Sequence, residues 1–443
     1  MDALVLTCGG NIKPLIKAII KFQPYLTYFL HSEDSIKNVN LIQVVFNFHL
    51  NCKCKLVKEY QDIDSVFVTS KEIISELQDN SYDIRIDFTG GTKPMSSGLV
   101  LASIGQKCKY SYIGTDDIGG RDKDGVGNVM DGFELVIEQD DPYESYAIFE
   151  FERGKVFFDK YQFQAARLNF DDAKQKSKSE ELRKLAEIYV KIVDLYDVWD
   201  KFDIVINNNY MLFYQLKKFI LMDINQDEYV KNHFLKYHPL FISQMEKNIE
   251  FLEKKISHQK RVSIDNINYY LPDLLNNAQR RIDEGKYDDA VARLYRAIEL
   301  IAQIKLTREG FINEQNLSDN RNFKIKKSEI ESLSDNLPIK NKILSCYEFN
   351  KEPKKKSFGV TSWKSYKLLE GLGFDFAHDY VKDKNIRNNI TLRNNSILAH
   401  GLIPIMEEDA RELFIQVLNY AEFICPKIEK CMEFSKFPKF NEE

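Results

Sequence analysis

Two stretches of this chain share one unusual pattern. Ala3-Leu4-Val5-Leu6 is an apolar run that opens into Thr7-Cys8-Gly9-Gly10-Asn11-Ile12-Lys13-Pro14 and then a helical stretch carrying Leu15, Ile16, Ala18 and Ile19. Ile84-Arg85-Ile86-Asp87-Phe88 alternates like a strand and opens into Thr89-Gly90-Gly91-Thr92-Lys93-Pro94-Met95 ahead of a second apolar helical stretch. Each unit reads as strand, Gly-Gly turn, Lys-Pro, helix. Adjacent glycines let backbone N–H groups come close to a ligand, a helix N-terminus favours anions, and Lys93 adds a positive charge. In an open parallel sheet, ligands sit outside the carboxyl ends of the strands where the winding reverses. The two turns are therefore expected to form opposite lips of one nucleotide-binding pocket. The plainer alternative is a pair of tight turns that only join strands to helices. The glycine-to-lysine spacing matches neither a P-loop nor the dinucleotide fingerprint.

The rest of the chain divides at a change of pattern. A length of 443 residues suggests two or three domains. Residues 1 to 142 mix short apolar strands, such as Leu26 to Leu30, with helical stretches, as a doubly wound domain does, and Asp140-Asp141-Pro142 marks the exit. From Tyr146 onward, charged stretches such as Ser179 to Trp199 have helical periodicity and strand patterns all but cease. The expected fold is α/β followed by all-α: a Rossmann-like domain over 1–142, a helical connection over 143–280 and a helical domain over 281–443.

Composition narrows the function classes. A net charge of −5 supplies no global field for indiscriminate nucleic-acid binding, so any RNA contact must be local. Lys351 to Lys367 offers a basic stretch with Phe358, Trp363 and Tyr366 interleaved, either a groove for phosphates and bases or a solvated lysine loop. Leu294, Ile298, Ile301 and Ile304 recur at helical spacing beside Arg293 and Arg296, either as a core helix whose basic face approaches the site or, the preferred reading for the two arginines, as a surface helix with solvated arginines. Seven scattered cysteines lack zinc spacing and read as reduced thiols; Asp122-Lys123-Asp124-Gly125 lacks the glutamate of a calcium loop, so no metal site is expected. No run of about 18 apolar residues and no leader pattern appears, and a cytoplasmic protein with no membrane partner is expected.

A second motif lies near the other end, in Arg393-Asn394-Asn395-Ser396-Ile397-Leu398-Ala399-His400. Taken as one helix, Ile386, Ile390, Arg393, Ile397 and His400 share a narrow stripe, and Gly401 with Pro404 ends it. The asparagines around it are weak helix formers, so packing must hold the segment. Histidine near neutral pH transfers protons and arginine presents a planar fork to phosphate oxygens. Together they suit RNA cleavage by the substrate's own 2'-hydroxyl, without metal. Asn394 and Ser396 flank the pair and are positioned to hydrogen-bond a phosphate. Seven residues of helix separate the two Cα atoms by roughly 10 Å, so a second copy of the chain is expected to help close the site. The alternative is chance placement, with the histidine acting as a helix cap.

The two glycine turns, Tyr112-Ile113-Gly114 with the loop that follows it, the helix around Ala290 to Glu299, and the Arg393-to-His400 motif together resemble the CARF-HEPN ribonucleases of type III CRISPR systems. The resemblance implies a Rossmann-like sensor that binds a cyclic oligoadenylate and a helical HEPN domain that degrades single-stranded RNA, both acting as homodimers, with no cofactor and no DNA partner. Carried over to this chain, it implies Arg393 and His400 as the catalytic pair, supported by Asn394 and Ser396. It implies Cys8, Gly9, Gly10, Asn11, Thr89, Gly90, Gly91, Thr92, Lys93 and Met95 as the ligand loops. Cyclic tetra-adenylate is favoured over hexa-adenylate, although the residues do not fix the ring size, and the Thr89 and Thr92 hydroxyls are candidates for slow cleavage of the ring. Two rival readings are a nucleotide-responsive regulator without nuclease activity and a sensor that only degrades its cyclic ligand.

Overall fold

A computed structural model of the protein describes residues 1–116, 120–122, 129–202, 213–214, 217, 222, 224–256, 267–311, 324–331, 340–341, 357–359, 361–396 and 401–441. The chain forms two compact units, one of residues 1–151 with 172–183 and one of residues 152–171 with 184–443.

The first unit is a doubly wound sheet. In chain order it runs β1 (Asp2–Cys8), α1 (Lys13–Phe22), β2 (Leu26–His31), α2 (Ile36–Val45), β3 (Cys52–Leu56), α3 (Ile63–Asp79), β4 (Asp83–Asp87), α4 (Lys93–Ser103), β5 (Lys109–Gly114) and β6 (Leu135–Gln139). The strand order is β3-β2-β1-β4-β5-β6, parallel except for β6, which pairs antiparallel with β5. β1 and β2 are buried along almost their whole length, as expected of central strands covered on both faces. One layer of core gathers Val5, Leu30, Val66, Ile86 and Leu99, and the other Leu6, Leu15, Phe29 and Ile42. The chain winds from β1 outward through β2 and β3, then returns to β1's other side for β4 and β5. The reversal therefore falls between β1 and β4, the two strands that carry the glycine turns.

The second unit is helical around two cores. Among the described residues its main helices are α8 (Glu180–Asp200, shared at its start with the first unit), α9 (Glu228–Tyr237), α10 (Pro239–Ile256), α11 (Ile267–Asp283), α12 (Tyr287–Arg308), α13 (Lys327–Glu331), α14 (Ser362–Gly371), α15 (Asp375–Lys382), α16 (Lys384–Asn395), α17 (Glu407–Glu422) and α18 (Ile428–Ser435); α5 (Pro142–Ser145) belongs to the first unit, and α6 (Ile148–Asp159) and α7 (Phe163–Lys176) are each divided between the two. α12 is the spine: Ala290, Leu294, Ala297, Ile298, Ile301 and Ile304 are all buried in one cluster with residues of α11, α14, α16 and α17. Among the described residues the one departure from an all-helical reading is a short antiparallel pair, β7 (Lys324–Lys326) with β8 (Ser357–Gly359). Three residues per strand are too few to show alternation in sequence.

Buried polar groups tie the helices together. Asp273 on α11 is fully buried and accepts from the Trp199 indole at 3.0 Å and from Lys255. Asp200 at the end of α8 accepts from Arg280 at 2.8 Å, from Arg281 and from Asn277 at 2.9 Å. Charges removed from water persist only when paired in this way. A second core is aromatic: Phe440 stacks on Phe241 at 4.1 Å and meets the ring of His238 at 5.1 Å. The backbone N–H of Phe440 donates to Asp159 at 2.7 Å, pinning the end of the chain.

Burial lowers the imidazole pKa values of His233 and His238 in that aromatic core to about 4, with Lys155 adding to the effect on both. An unfolded imidazole protonates near 6.5, so both rings stay neutral in the fold and contribute stability that is fully present above about pH 6.5. That stability is lost as pH falls toward 4. The melting temperature is expected to drop across that window, and His238→Phe is expected to flatten the drop. An unchanged pH slope in the variant would assign the acid sensitivity to other groups.

Candidate functional site

At the sheet's reversal point the two glycine turns touch. Leu6 of β1 pairs with Asp87 of β4, so both strands end together. A Cβ on Gly9 would lie 2.7 Å from the backbone nitrogen of Gly91, and one on Gly90 would lie 2.2 Å from the Thr7 carbonyl. Gly91 also has φ +76, in the left-handed region that favours glycine. The Thr7 hydroxyl donates to the Gly90 carbonyl at 2.6 Å, and Asn38 donates to the Gly9 carbonyl at 2.7 Å. The turns expected to be opposite lips of a pocket are therefore one continuous backbone floor, because β1 and β4 are immediate neighbours.

The expected ligand residues divide on this floor. Gly10, Asn11 and Lys93 are exposed, and Gly9, Thr89, Gly90, Gly91 and Thr92 are half-buried. Cys8 and Met95 are buried at 1% exposure and turn into the core. The Cys8 thiol lies 3.6 Å from the Ser35 carbonyl, and burial pushes its pKa up to about 11, so it shapes the turn from beneath. Thr92 caps α4, accepting from Met95 N at 3.4 Å, and donates its one hydroxyl proton to the Tyr60 carbonyl at 3.0 Å. Thr89 accepts from Ile113 N at 2.7 Å, which ties the β4 turn to β5. Both hydroxyls proposed for ring cleavage are thus engaged by the protein itself. Asn38 and the Lys13–Asp131 ion pair at the mouth of α1 had no motif to announce them.

In the helical unit, α16 forms despite its asparagines because Asp383 caps it, accepting from Asn385 N at 2.9 Å and Ile386 N at 3.1 Å, and because Ile386 is fully buried. The helix does not run to His400. Ser396 leaves the helical region at φ −82, ψ 163, its N–H bonding back to the Arg393 carbonyl at 3.2 Å. The expected stripe from Ile386 therefore ends after Arg393 within α16. His400 and Ile397 lie outside the described residues, as does the side chain of Asn394. Ser396 is fully buried and its hydroxyl donates to the Arg393 carbonyl at 2.9 Å, so it secures the helix end.

Arg393 sits with its guanidinium carbon 4.8 Å from the centroid of the Tyr295 ring on α12. Beside it, Arg296 donates to Gln303 at 2.8 Å and lies 3.4 Å from Glu299. Burial raises the Glu299 carboxyl pKa, opposed by Arg296 and then Arg393; burial and the neighbouring Glu299 raise that of the Tyr295 phenol. Arg293 likewise is engaged by Asn277 and Asp289. The arginines read as solvated are thus built into the protein, and Tyr295 and Glu299 join the site unannounced by any spacing.

Of the basic aromatic stretch, 351–356 and 360 and the side chain of Phe358 lie outside the described residues. Tyr366 is fully buried and stacks on Tyr380 at 3.6 Å, which removes it from any base-stacking surface. Trp363 remains 40% exposed, with Lys367 and Arg387 over its ring. Asp122 is described but Lys123, Asp124 and Gly125 are not. Among the described residues no group of three or more His, Cys, Asp or Glu side chains is arranged to hold a metal ion, and no helix is long and apolar enough to cross a membrane.

A Rossmann-like domain with a glycine floor at its reversal point, followed by a helical half, is the two-part build of the CARF-HEPN ribonucleases that the sequence resembles. Residues 259–424 match the family model described as the Csm6 HEPN domain, so the helical half carries a HEPN domain of the Csm6 kind. Among solved structures, Enterococcus italicus Csm6 bound to cyclic hexa-2'-fluoro-hexa-dAMP is similar over 98% of this chain and 98% of its own, at 12% identity and a TM-score of 0.47. Can2 from Sulfobacillus thermosulfidooxidans in complex with cyclic tetra-adenylate is similar over 45% of this chain and 66% of its own, at 12% identity and a TM-score of 0.24. A type III CRISPR defence DNA nuclease activated by cyclic oligoadenylate is similar over 44% of this chain and 33% of its own, at 12% identity and a TM-score of 0.24. No curated protein matches the sequence significantly.

The glycine floor gives a direct contrast. Gly90→Ala forces a methyl group into the Thr7 carbonyl and is expected to destabilise the protein by about 1–3 kcal/mol, as overpacking does. Gly10→Ala, with nothing within 4 Å of the added carbon, is expected to melt like the parent chain. Thermal unfolding of both variants checks the pair, and equal melting temperatures would contradict the close approach.

Proposed function

We propose that the protein is a cyclic-oligoadenylate-activated endoribonuclease of CRISPR antiviral defence that cuts single-stranded RNA without a metal ion. The observation that carries this reading is that the Csm6 HEPN match spans residues 259–424 and so contains both Arg393 and His400. The 2'-hydroxyl oxygen attacks the adjacent phosphorus, the bond to the 5'-oxygen breaks, and the products are a 2',3'-cyclic phosphate and a 5'-hydroxyl. His400 transfers protons in this step, which is typically worth about 10²- to 10⁴-fold. Arg393 faces the phosphate oxygens, with the Tyr295 ring limiting its motion and Ser396 fixing the helix end beneath it. Asn394 is a further phosphate contact in this proposal.

Activation requires two states of the protein. A ligand shifts their balance only by binding one better than the other, and a symmetric ring spanning two sensor domains of a homodimer reports their relative position. The exposed turn residues Gly10, Asn11 and Lys93 contact the ring, Gly9, Gly90, Gly91, Thr89 and Thr92 form its floor, and Cys8 and Met95 support that floor from the core. Cyclic tetra-adenylate is the favoured activator and cyclic hexa-adenylate its competitor.

His400→Ala is expected to abolish cleavage of labelled single-stranded RNA while leaving cyclic tetra-adenylate affinity unchanged, as read by calorimetry. Retained cleavage would move the active site elsewhere, and linearised activator with intact RNA would favour a sensor that only degrades its ligand. Removing the ring beneath Arg393 in Tyr295→Leu is expected to cost about 1–2 kcal/mol of transition-state stabilisation, roughly 5- to 30-fold in kcat/KM. Tyr295→Phe keeps the ring face and is expected to stay near the parent rate; equal losses in both variants would assign the role to the phenol hydroxyl.

A further inference from the structure

The helical unit holds an open cleft of about 330 Å³ between α10, α11 and α18. That volume lies at the lower end of the roughly 300–1,000 Å³ typical of small-molecule sites, about one nucleotide unit. Aromatic rings form its walls. Phe251 is buried, Tyr269 meets it edge-on at 5.4 Å, and Phe434 is half-buried beside them. Cations outnumber carboxylates at its rim: Lys254 from α10, Lys427 from the turn before α18, and Lys430 from α18, against Glu250 among the described lining residues. Lys254 is paired with Glu250, whereas no carboxylate among the described residues forms an ion pair with Lys427 or Lys430.

A chain of net charge −5 that concentrates three lysines around one aromatic cleft has a local preference for anions that its overall charge opposes. Cations that track a backbone, with ring faces beside them for bases, are the combination by which single-stranded nucleic acid is held without sequence preference. Aliphatic anions would have no use for the rings, and uncharged aromatic ligands none for the lysines. Arg393 is not among the described residues that line the cleft.

We infer that this cleft is an anchoring subsite for one nucleotide of a single-stranded RNA chain, with Lys427 and Lys430 on its phosphates and Tyr269 and Phe434 against its base. The inference rests on the proposed RNA substrate. The subsite acts in binding alone: it raises the residence of RNA on the protein and leaves the bond-breaking step unchanged.

The test uses the full-length protein with a fluorescein-labelled 2'-O-methyl RNA oligomer, which binds but lacks the attacking hydroxyl. Lys427→Ala/Lys430→Ala is expected to weaken binding on the order of tenfold and to reduce the slope of log K against log salt concentration by about 1.4, two single-strand phosphate contacts' worth. With cleavable RNA the same variant is expected to raise KM and keep kcat, and Lys427→Arg/Lys430→Arg is expected to restore both. Both positions are exposed, and matching melting temperatures confirm intact folding. Unchanged affinity and salt slope would overturn the subsite. So would a loss of kcat at unchanged KM, or a loss of binding that the arginine pair does not restore. Failure of the parent protein to cut activator-primed RNA, with 2'-O-methyl RNA still bound through the lysines, would instead overturn the nuclease reading and leave the subsite standing.

Discussion

The contact between the Arg393 guanidinium and the Tyr295 ring, 4.8 Å apart, fixes the functional end of α16 to the spine of the helical unit. α16 is a poor helix by composition and survives through its Asp383 cap and the buried Ile386. α12 by contrast is buried along one side throughout, so a residue held against it inherits its rigidity. Ser396, spent on the Arg393 carbonyl, stops the helix at the point where the chain must depart toward His400. The cation proposed for the active site, carried on a weak helix, is thereby positioned by a strong one, which is how supporting residues fix reactive groups.

The first unit solves a related problem with backbone alone. Two glycine turns on neighbouring strands approach so closely that side chains at Gly9, Gly90 or Gly91 would collide with the opposite turn. The glycines serve the contact between turns first, and the approach of a ligand second. Thr7, Thr89 and Thr92 spend their hydroxyls holding the turns to each other, to β5 and to the Tyr60 carbonyl. What remains exposed at the surface, Gly10, Asn11 and Lys93, is small and polar or cationic, suited to a phosphate-rich ring.

Much of this was legible in the sequence because strand, Gly-Gly turn and Lys-Pro helix start are local signals, and their repetition set both the winding and the reversal point. The apolar period of α12 was equally plain. What escaped notice was tertiary. That β1 and β4 are neighbours, making one floor of two turns, depends on strand order. Tyr295, Glu299 and Asn38 matter only through partners far along the chain, and Arg296 read as solvated because its buried partner Gln303 lies on its own helix's inner side. The stripe of Ile386, Ile390 and Arg393 continues in sequence through Ile397 to His400, whereas α16 ends at Asn395, five residues earlier, because Ser396 breaks the helix. Tyr366 looked like a surface aromatic among lysines, yet it packs on Tyr380.

In the proposed chemistry an imidazole and a guanidinium cut RNA through the substrate's own 2'-hydroxyl. End-group analysis by mass spectrometry of RNA incubated with the protein, cyclic tetra-adenylate and excess chelator tests it most directly. Cleavage by this route yields fragments ending in 2',3'-cyclic phosphate and beginning with 5'-hydroxyl, at a rate the chelator does not alter. Fragments with 5'-phosphate and 3'-hydroxyl ends, formed only when a divalent metal is restored, would contradict it.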